Sequence, residues 1–164
     1  HFHVMARFES DSFFPESMWG KKQREGELNL PVFSYEKFKI GMMFGFEAHF
    51  DAAWAYMARK KVDAVVVPTA CTFFSESRWE ELLKTRAFTN NVYVLRVNRV
   101  GNHKAASGEQ WSFYGDSMLI SPFGEVVSRL GKNEEMMVAK LEKTELAQAR
   151  LLWGFSQILH KRLG

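Results

Sequence analysis

The residues able to do covalent or acid–base chemistry are few in this sequence and widely spaced. The single cysteine, Cys71, follows the branched run Val62 to Val67 and Pro68. A thiolate there is a nucleophile for acyl or nitrile carbons if a neighbouring base or cation holds it deprotonated. A free cysteine is, however, more often a small buried apolar residue. Glu47 and His49 follow another apolar run, and their types suit general acid–base catalysis. Glu9, with Glu16 behind it, is a further carboxylate in an aromatic-rich opening segment. His1 and His3 place two imidazoles on one side of an extended strand, a spacing some metal sites use, yet at a chain terminus the pattern implies no metal. Arg86 with Asn90, one helical turn apart, and Asp116 with Ser117 read as structural hydrogen-bonding groups.

These residues are positioned by an alternating α/β pattern. Leu30 to Tyr35 and Phe38 to Phe44 are apolar runs of strand length joined by Glu36 and Lys37, a hairpin feeding a buried strand. After Gly45 the period changes to that of a helix, with Phe50, Trp54 and Met57 on one face and Arg59, Lys60 and Lys61 closing it. Val62 to Val67, ended by Pro68, has the look of a strand covered on both faces, so strand, helix and strand imply a parallel crossover. Ser77 and Glu80 suit a capping box for a helix with inner face Trp79, Leu82, Leu83 and Ala87, followed by a strand over Val92 to Val97. Gly101 to Ser112 is polar with two glycines and reads as a loop. Tyr114 to Ser121, Glu125 to Leu130 and Met136 to Leu141 read as antiparallel strands, the first two joined by a turn at Pro122-Phe123-Gly124. A last helix from Thr144 is expected to present Leu151, Phe155, Ile158 and Leu159 to a core.

The length of 164 residues is about one domain, and 46% hydrophobic with 25% charged residues excludes disordered, collagen-like and coiled-coil chains. The net charge of +3 is spread along the chain, and the clusters Arg59-Lys60-Lys61 and His160-Lys161-Arg162 each close a helix, so neither nucleic acid nor a membrane surface is implied. One cysteine excludes an intrachain disulfide and fits a reducing compartment, with the cytoplasm the expectation.

The run Lys39-Ile40-Gly41-Met42-Met43-Phe44-Gly45-Phe46-Glu47, followed by His49-Phe50 and a helix, resembles the nucleophile segment of the nitrilase superfamily of carbon–nitrogen hydrolases. Later blocks resemble it in the same order: Val-Pro-Thr-Ala at 67 to 70, Trp79-Glu80, Arg86-Ala87 with Asn90, Asn98-Arg99-Val100-Gly101, Phe113-Tyr114-Gly115-Asp116-Ser117, and Ser121-Pro122-Phe123-Gly124-Glu125-Val126-Val127. The resemblance implies an αββα sandwich with mixed sheets. It implies too that residues 1–164 form a single domain truncated at its N-terminus, without the family's first strands and helix. Family members work with a Glu, Lys, Cys triad and a second Glu, and need no cofactor: the thiolate attacks an amide, N-carbamoyl or nitrile carbon while Lys and a backbone N–H hold the oxyanion.

Carried over residue by residue, that machinery is largely missing. The nucleophile position is Gly45, which has no thiol. Glu9 matches the second Glu, the first Glu has no counterpart, and the lysine either falls just before His1-Phe2 or is replaced by Arg7. Phe46, Glu47, His49, Thr69 and Cys71 are the expected pocket residues, with Cys71 also the candidate for a substitute nucleophile. Taken alone, Gly45 between a strand and a helix is equally what a turn needing positive φ calls for. The expectation is a family member without hydrolytic activity. The alternative is a non-catalytic protein that binds a small amide-like ligand or a protein partner, as a homo-oligomer or paired with a missing N-terminal portion.

Overall fold

The computed structural model describes residues 29–155, with 158 and 162. The expectations placed on His1, His3, Arg7, Glu9, Glu16 and Leu159 lie outside the described residues. The elements run β1 (Val32–Tyr35), β2 (Phe38–Met42), a 3-10 turn (Glu47–His49), α1 (Asp51–Arg59), β3 (Ala64–Thr69), α2 (Glu76–Asn90), β4 (Tyr93–Asn98), β5 (Val100–Lys104), β6 (Gln110–Tyr114), β7 (Met118–Ile120), β8 (Val126–Arg129) and α3 (Lys143–Leu152).

A mixed six-stranded sheet in the order β1-β2-β3-β4-β7-β8 carries the domain. β3 is parallel to both neighbours, which are reached through α1 and α2, while β1, β7 and β8 pair antiparallel. Strands buried on both faces must be apolar at successive positions, and here the pleat sorts them by parity. Val65, Val67, Val94, Met118 and Ile120 face a core with Trp54 and Met57 of α1 and Trp79, Leu83 and Ala87 of α2. Ala64, Val66, Tyr93 and Leu119 face the other way, toward Leu146 of α3 and the segment bearing Met137, Ala139 and Leu141. α3 is tied down by charge: Asp63, almost wholly buried, accepts from the Lys39 N–H at 2.8 Å, Lys143 Nζ at 2.6 Å and Arg150 Nη1 at 3.2 Å. Among the described residues no helix is long and apolar enough to cross a membrane.

Several sequence expectations are corrected. β3 does not stop at Pro68 but runs to Thr69. The Pro68 carbonyl accepts from Gly45 N–H at 3.0 Å, on the side where β2 has already ended, so the missing proline donor breaks no ladder bond there. α2 begins two residues earlier than a Ser77 cap requires: Ser77 is inside the helix and Ser75 takes the N-cap position without a side-chain cap bond. Gly101 to Ser112 is a two-stranded ribbon, β5 with β6, because His103 and Trp111 pair across it around a turn at Gly108. The run from Tyr114 to Ser121 is broken by Gly115 and Asp116, both at positive φ, which send β6 and β7 into different sheets. Met136 to Leu141 keeps the in-out alternation of a strand, half-burying Met137 and exposing Met136, but pairs with no strand among the described residues. Phe50 is exposed rather than inside α1's packed face. α3 buries Leu146 and Ala149, whereas Leu151, Phe155 and Ile158 are exposed, Leu151 at 81%. The turn at Gly124 stands as read, closed by Gly124 N–H to the Ser121 carbonyl at 2.9 Å.

Candidate active site

The corner after β2 lies over the ends of β2 and β3. Backbone bonds from Met43 to Val66 (3.1 Å) and from Gly45 to Pro68 (3.0 Å) carry the chain along β3 before the 3-10 turn reverses it. His49 Nδ1 donates to the Gly45 carbonyl at 2.9 Å, and Trp54 Nε1 of α1 donates to the Ala48 carbonyl at 2.8 Å, so both ends of the turn are held. The imidazole of His49 meets the indole of Trp79 edge-on at 5.0 Å. Phe46 packs edge-on against Phe50 at 4.8 Å. Glu47 is half-buried, and its Oε2 is buried without a hydrogen-bond partner among the described residues.

Under this corner lies a polar network in an apolar surround. Thr69, at the end of β3, donates from Oγ1 to Asn98 Oδ1 at 2.8 Å and accepts from Arg96 Nε at 3.3 Å. Arg96 is fully buried. Its Nη1 bonds the Asp116 carboxylate at 3.0 Å and the Asp116 carbonyl at 3.1 Å, and its Nη2 donates to the Tyr114 hydroxyl at 2.9 Å. The guanidinium also lies over the rings of Trp79 and Tyr114, 5.0 and 5.5 Å from their centroids. Tyr114, having accepted from Arg96, donates to Ser75 Oγ at 3.0 Å, which donates onward to the Phe73 carbonyl at 3.1 Å. Burial pushes the Asp116 carboxyl up against the opposing pull of Arg129 and Arg96, and burial pushes the Tyr114 phenol up as well.

The structure therefore brings Gly45, His49 and Thr69 together around Trp79. Cys71 joins this region through its backbone, whose N–H donates to Asn98 Oδ1 at 3.0 Å, while its side chain packs on the apolar cluster of α1 and α2. Arg86 and Asn90 are structural as read: Asn90 Nδ2 donates to the Arg86 carbonyl at 2.9 Å, and Arg86 pairs with Asp51 at 2.6 Å. Ser117 Oγ likewise accepts from the Asn98 N–H at 3.0 Å. No group of three potential metal ligands forms among the described residues.

The sequence reading missed Arg96, Asn98 and Tyr114 as the floor of the corner. A signal was present for the first: an arginine inside Tyr-Val-Leu-Arg-Val-Asn, a strand otherwise apolar enough to be buried, needs a buried counter-charge. The second half of that pair, Asp116, is displaced from it by a whole ribbon of sequence, so spacing does not reveal it.

A mixed sheet whose parallel strands end beneath a tight strand-to-helix corner defines an α/β domain with its candidate site at the carboxyl ends of those strands. Its relatives identify which kind. The model of the carbon-nitrogen hydrolase family matches residues 1–151, and the chain belongs to that family, the nitrilase superfamily. It is 27% identical over 127 residues to a deaminated glutathione amidase from Synechocystis sp. strain PCC 6803, covering 76% of this chain and 45% of that protein. It is 29% identical over 120 residues to an omega-amidase from Xenopus laevis, covering 73% and 42%. The chain thus spans less than half the length of these relatives. Its fold matches a carbon-nitrogen hydrolase from Helicobacter pylori G27 with a TM-score of 0.69 at 23% identity, over 73% of this chain and 45% of the other. A structure of the amidase from Nesterenkonia sp. AN1, with acrylamide added at its active-site cysteine, matches with a TM-score of 0.63 at 25% identity, over 79% and 49%.

Proposed function

We propose that this polypeptide is a non-hydrolytic member of the carbon–nitrogen hydrolases. The observation that carries this reading is Gly45 at the strand-to-helix corner, where the family resemblance puts the cysteine nucleophile. Without a thiol no acyl-enzyme or thioimidate forms, and the activation that neighbouring groups provide has nothing to act on. Cys71 does not replace it in this reading, because it follows the end of β3, off the strand-to-helix corner that carries position 45, with its side chain half-buried against the apolar cluster of α1 and α2. Purified protein is expected to release no ammonia from small aliphatic amides or N-carbamoyl amino acids; turnover by the parent chain that survives stringent purification would overturn the reading, with Cys71→Ser showing whether that thiol carries it.

A second observation supports an assembly role. The β2-β3-β4 face opposite α1 and α2 carries an apolar trough of about 1370 Å³, lined among others by Ile40, Met42, Val66, Leu95, Val97 and Leu119. We propose that its occupant is the remaining part of a family-length domain, since the relatives are more than twice the length this chain covers and the half-buried Met42, Leu95 and Val97 leave an apolar opening there for a partner to fill. Co-expression with a segment of that length, read by co-purification and light scattering, tests it. A tight monomer that ignores the segment, or a homodimer closing the trough, would refute it.

A further inference from the structure

Gly45 is not glycine for conformational reasons. Among the described residues the glycines at positive φ are Gly101, Gly108, Gly115 and Gly124, and Gly45 is not one of them, contrary to the turn reading of the sequence. Its reason is space: a Cβ built on Gly45 would stand 2.7 Å from Thr69 Cγ2 and 3.1 Å from Trp79 Cη2. Close approach alone does not forbid a side chain. At Gly41 a Cβ would meet Met57 Sδ at 2.4 Å, but a thioether on three rotatable bonds can move aside.

At Gly45 the neighbours are pinned. Thr69 is buried, and both bonds of its hydroxyl, to Asn98 and from Arg96, set χ1 so that the methyl points at Gly45. Rotating the methyl away would break both bonds and strip the buried hydroxyl of its two partners and Arg96 Nε of its acceptor, while Asn98 Oδ1 would keep only the Cys71 N–H. Trp79 is held between the Arg96 guanidinium and the His49 ring.

We propose that Gly45 and Thr69 are a matched steric pair: the Thr69 methyl occupies the room where a nucleophile side chain would begin, so a thiol at position 45 reaches a usable position only when that methyl is removed. The proposal deepens the reading of Gly45 as the nucleophile position and rests on it. Serine at position 69 is the informative change, because it keeps Oγ with both of its bonds and deletes only Cγ2.

A double-mutant cycle of Gly45→Cys and Thr69→Ser tests the pair. The G45C chain is expected to melt about 3–10 °C below the parent, as an overpacked core does, and the added T69S change to restore at least half of that loss. Iodoacetamide labelling reads the same pair chemically, with peptide mass scoring the introduced thiol at position 45 separately from Cys71. Alkylation at position 45 is expected to be faster in G45C/T69S than in G45C. If G45C does not fold, G45A and G45A/T69S give the same cycle, since the conflict is at Cβ. Additive Tm changes, or equal labelling of position 45 in both backgrounds, would overturn the pair. The non-hydrolytic reading fails by a separate result, ammonia release by the parent chain, which leaves the cycle unchanged.

Discussion

Arg96 and Asp116 form an ion pair at 3.0 Å whose arginine is entirely withdrawn from water, with the same guanidinium lying over the indole of Trp79 beneath the Gly45 corner. The pair ties the middle of β4 to the turn between β6 and β7, so the corner's floor depends on two elements that meet only in the folded state. Asp116 is held a second time by Arg129 Nε at 3.4 Å, and Arg129 in turn pairs with Glu80 of α2.

Breaking such a pair from one side leaves a buried charge unmatched, which is costlier than deleting both partners. Arg96→Met is expected to destabilise the chain by about 3–5 kcal/mol in urea unfolding. Arg96→Met with Asp116→Asn should cost less than Arg96→Met alone. A single substitution that melts with the parent would show that the guanidinium contributes nothing net.

Asp63 links the start of β3 to α3 through a carboxylate that receives two cations and a backbone N–H. Asp63→Ala leaves Lys143 and Arg150 without their partner and the Lys39 N–H without its acceptor. The expected result is a loss of about 2–4 kcal/mol and faster tryptic cleavage at Lys143 and Arg150 while β2 to β4 stay protected. Unchanged cleavage at both sites would show that the burial of Leu146 and Ala149 and the Tyr93–Glu145 hydrogen bond hold the helix without it.

Tyr93 sets an alkaline limit. Burial first, and then its hydrogen bond to the Glu145 carboxylate, holds its phenol neutral well above the ordinary tyrosine range. An unfolded tyrosine titrates near 10, so between that pH and the folded value the unfolded state has lost a proton the folded state keeps. Stability is therefore fully present below about pH 10 and falls as pH rises above it, at up to about 1.4 kcal/mol per pH unit for this group. Tyr93→Phe should cost about 1 kcal/mol at neutral pH and flatten that alkaline slope. An identical slope in the variant would assign the alkaline loss to other groups, such as Tyr114, whose phenol burial also raises.

The hairpin of β1 and β2, the parallel crossover through α1 into β3 and the α2 core face of Trp79, Leu83 and Ala87 were legible, because the period of apolar residues switches between strand and helix at each boundary. The ribbon of β5 and β6 was not, since β5, Val-Gly-Asn-His-Lys, is mostly exposed and carries no apolar alternation. Nor was the exposure of Leu151 and Ile158: a helical stripe of apolar residues predicts a buried face only where a partner surface lies opposite. Neighbouring blocks of sequence suggest position 45 as the nucleophile position, but they carry nothing about the space around its glycine. Absence of positive φ at Gly45 and the methyl of Thr69 against it are facts of φ and of distance between β2 and β3.

By itself, the order of residues settled the family, the mixed α/β class and the lack of a thiol at position 45, because each depends on residue type, spacing and local period. Only tertiary structure decided what surrounds that position. Thr69, Trp79, Arg96, Asn98 and Asp116 come from β3, α2, β4 and the turn before β7, and they meet because parallel pairing sets Thr69 opposite Asn98 in one register. A buried charge, a fixed rotamer and a filled volume arise only where strands distant in sequence close on one another, out of reach of water.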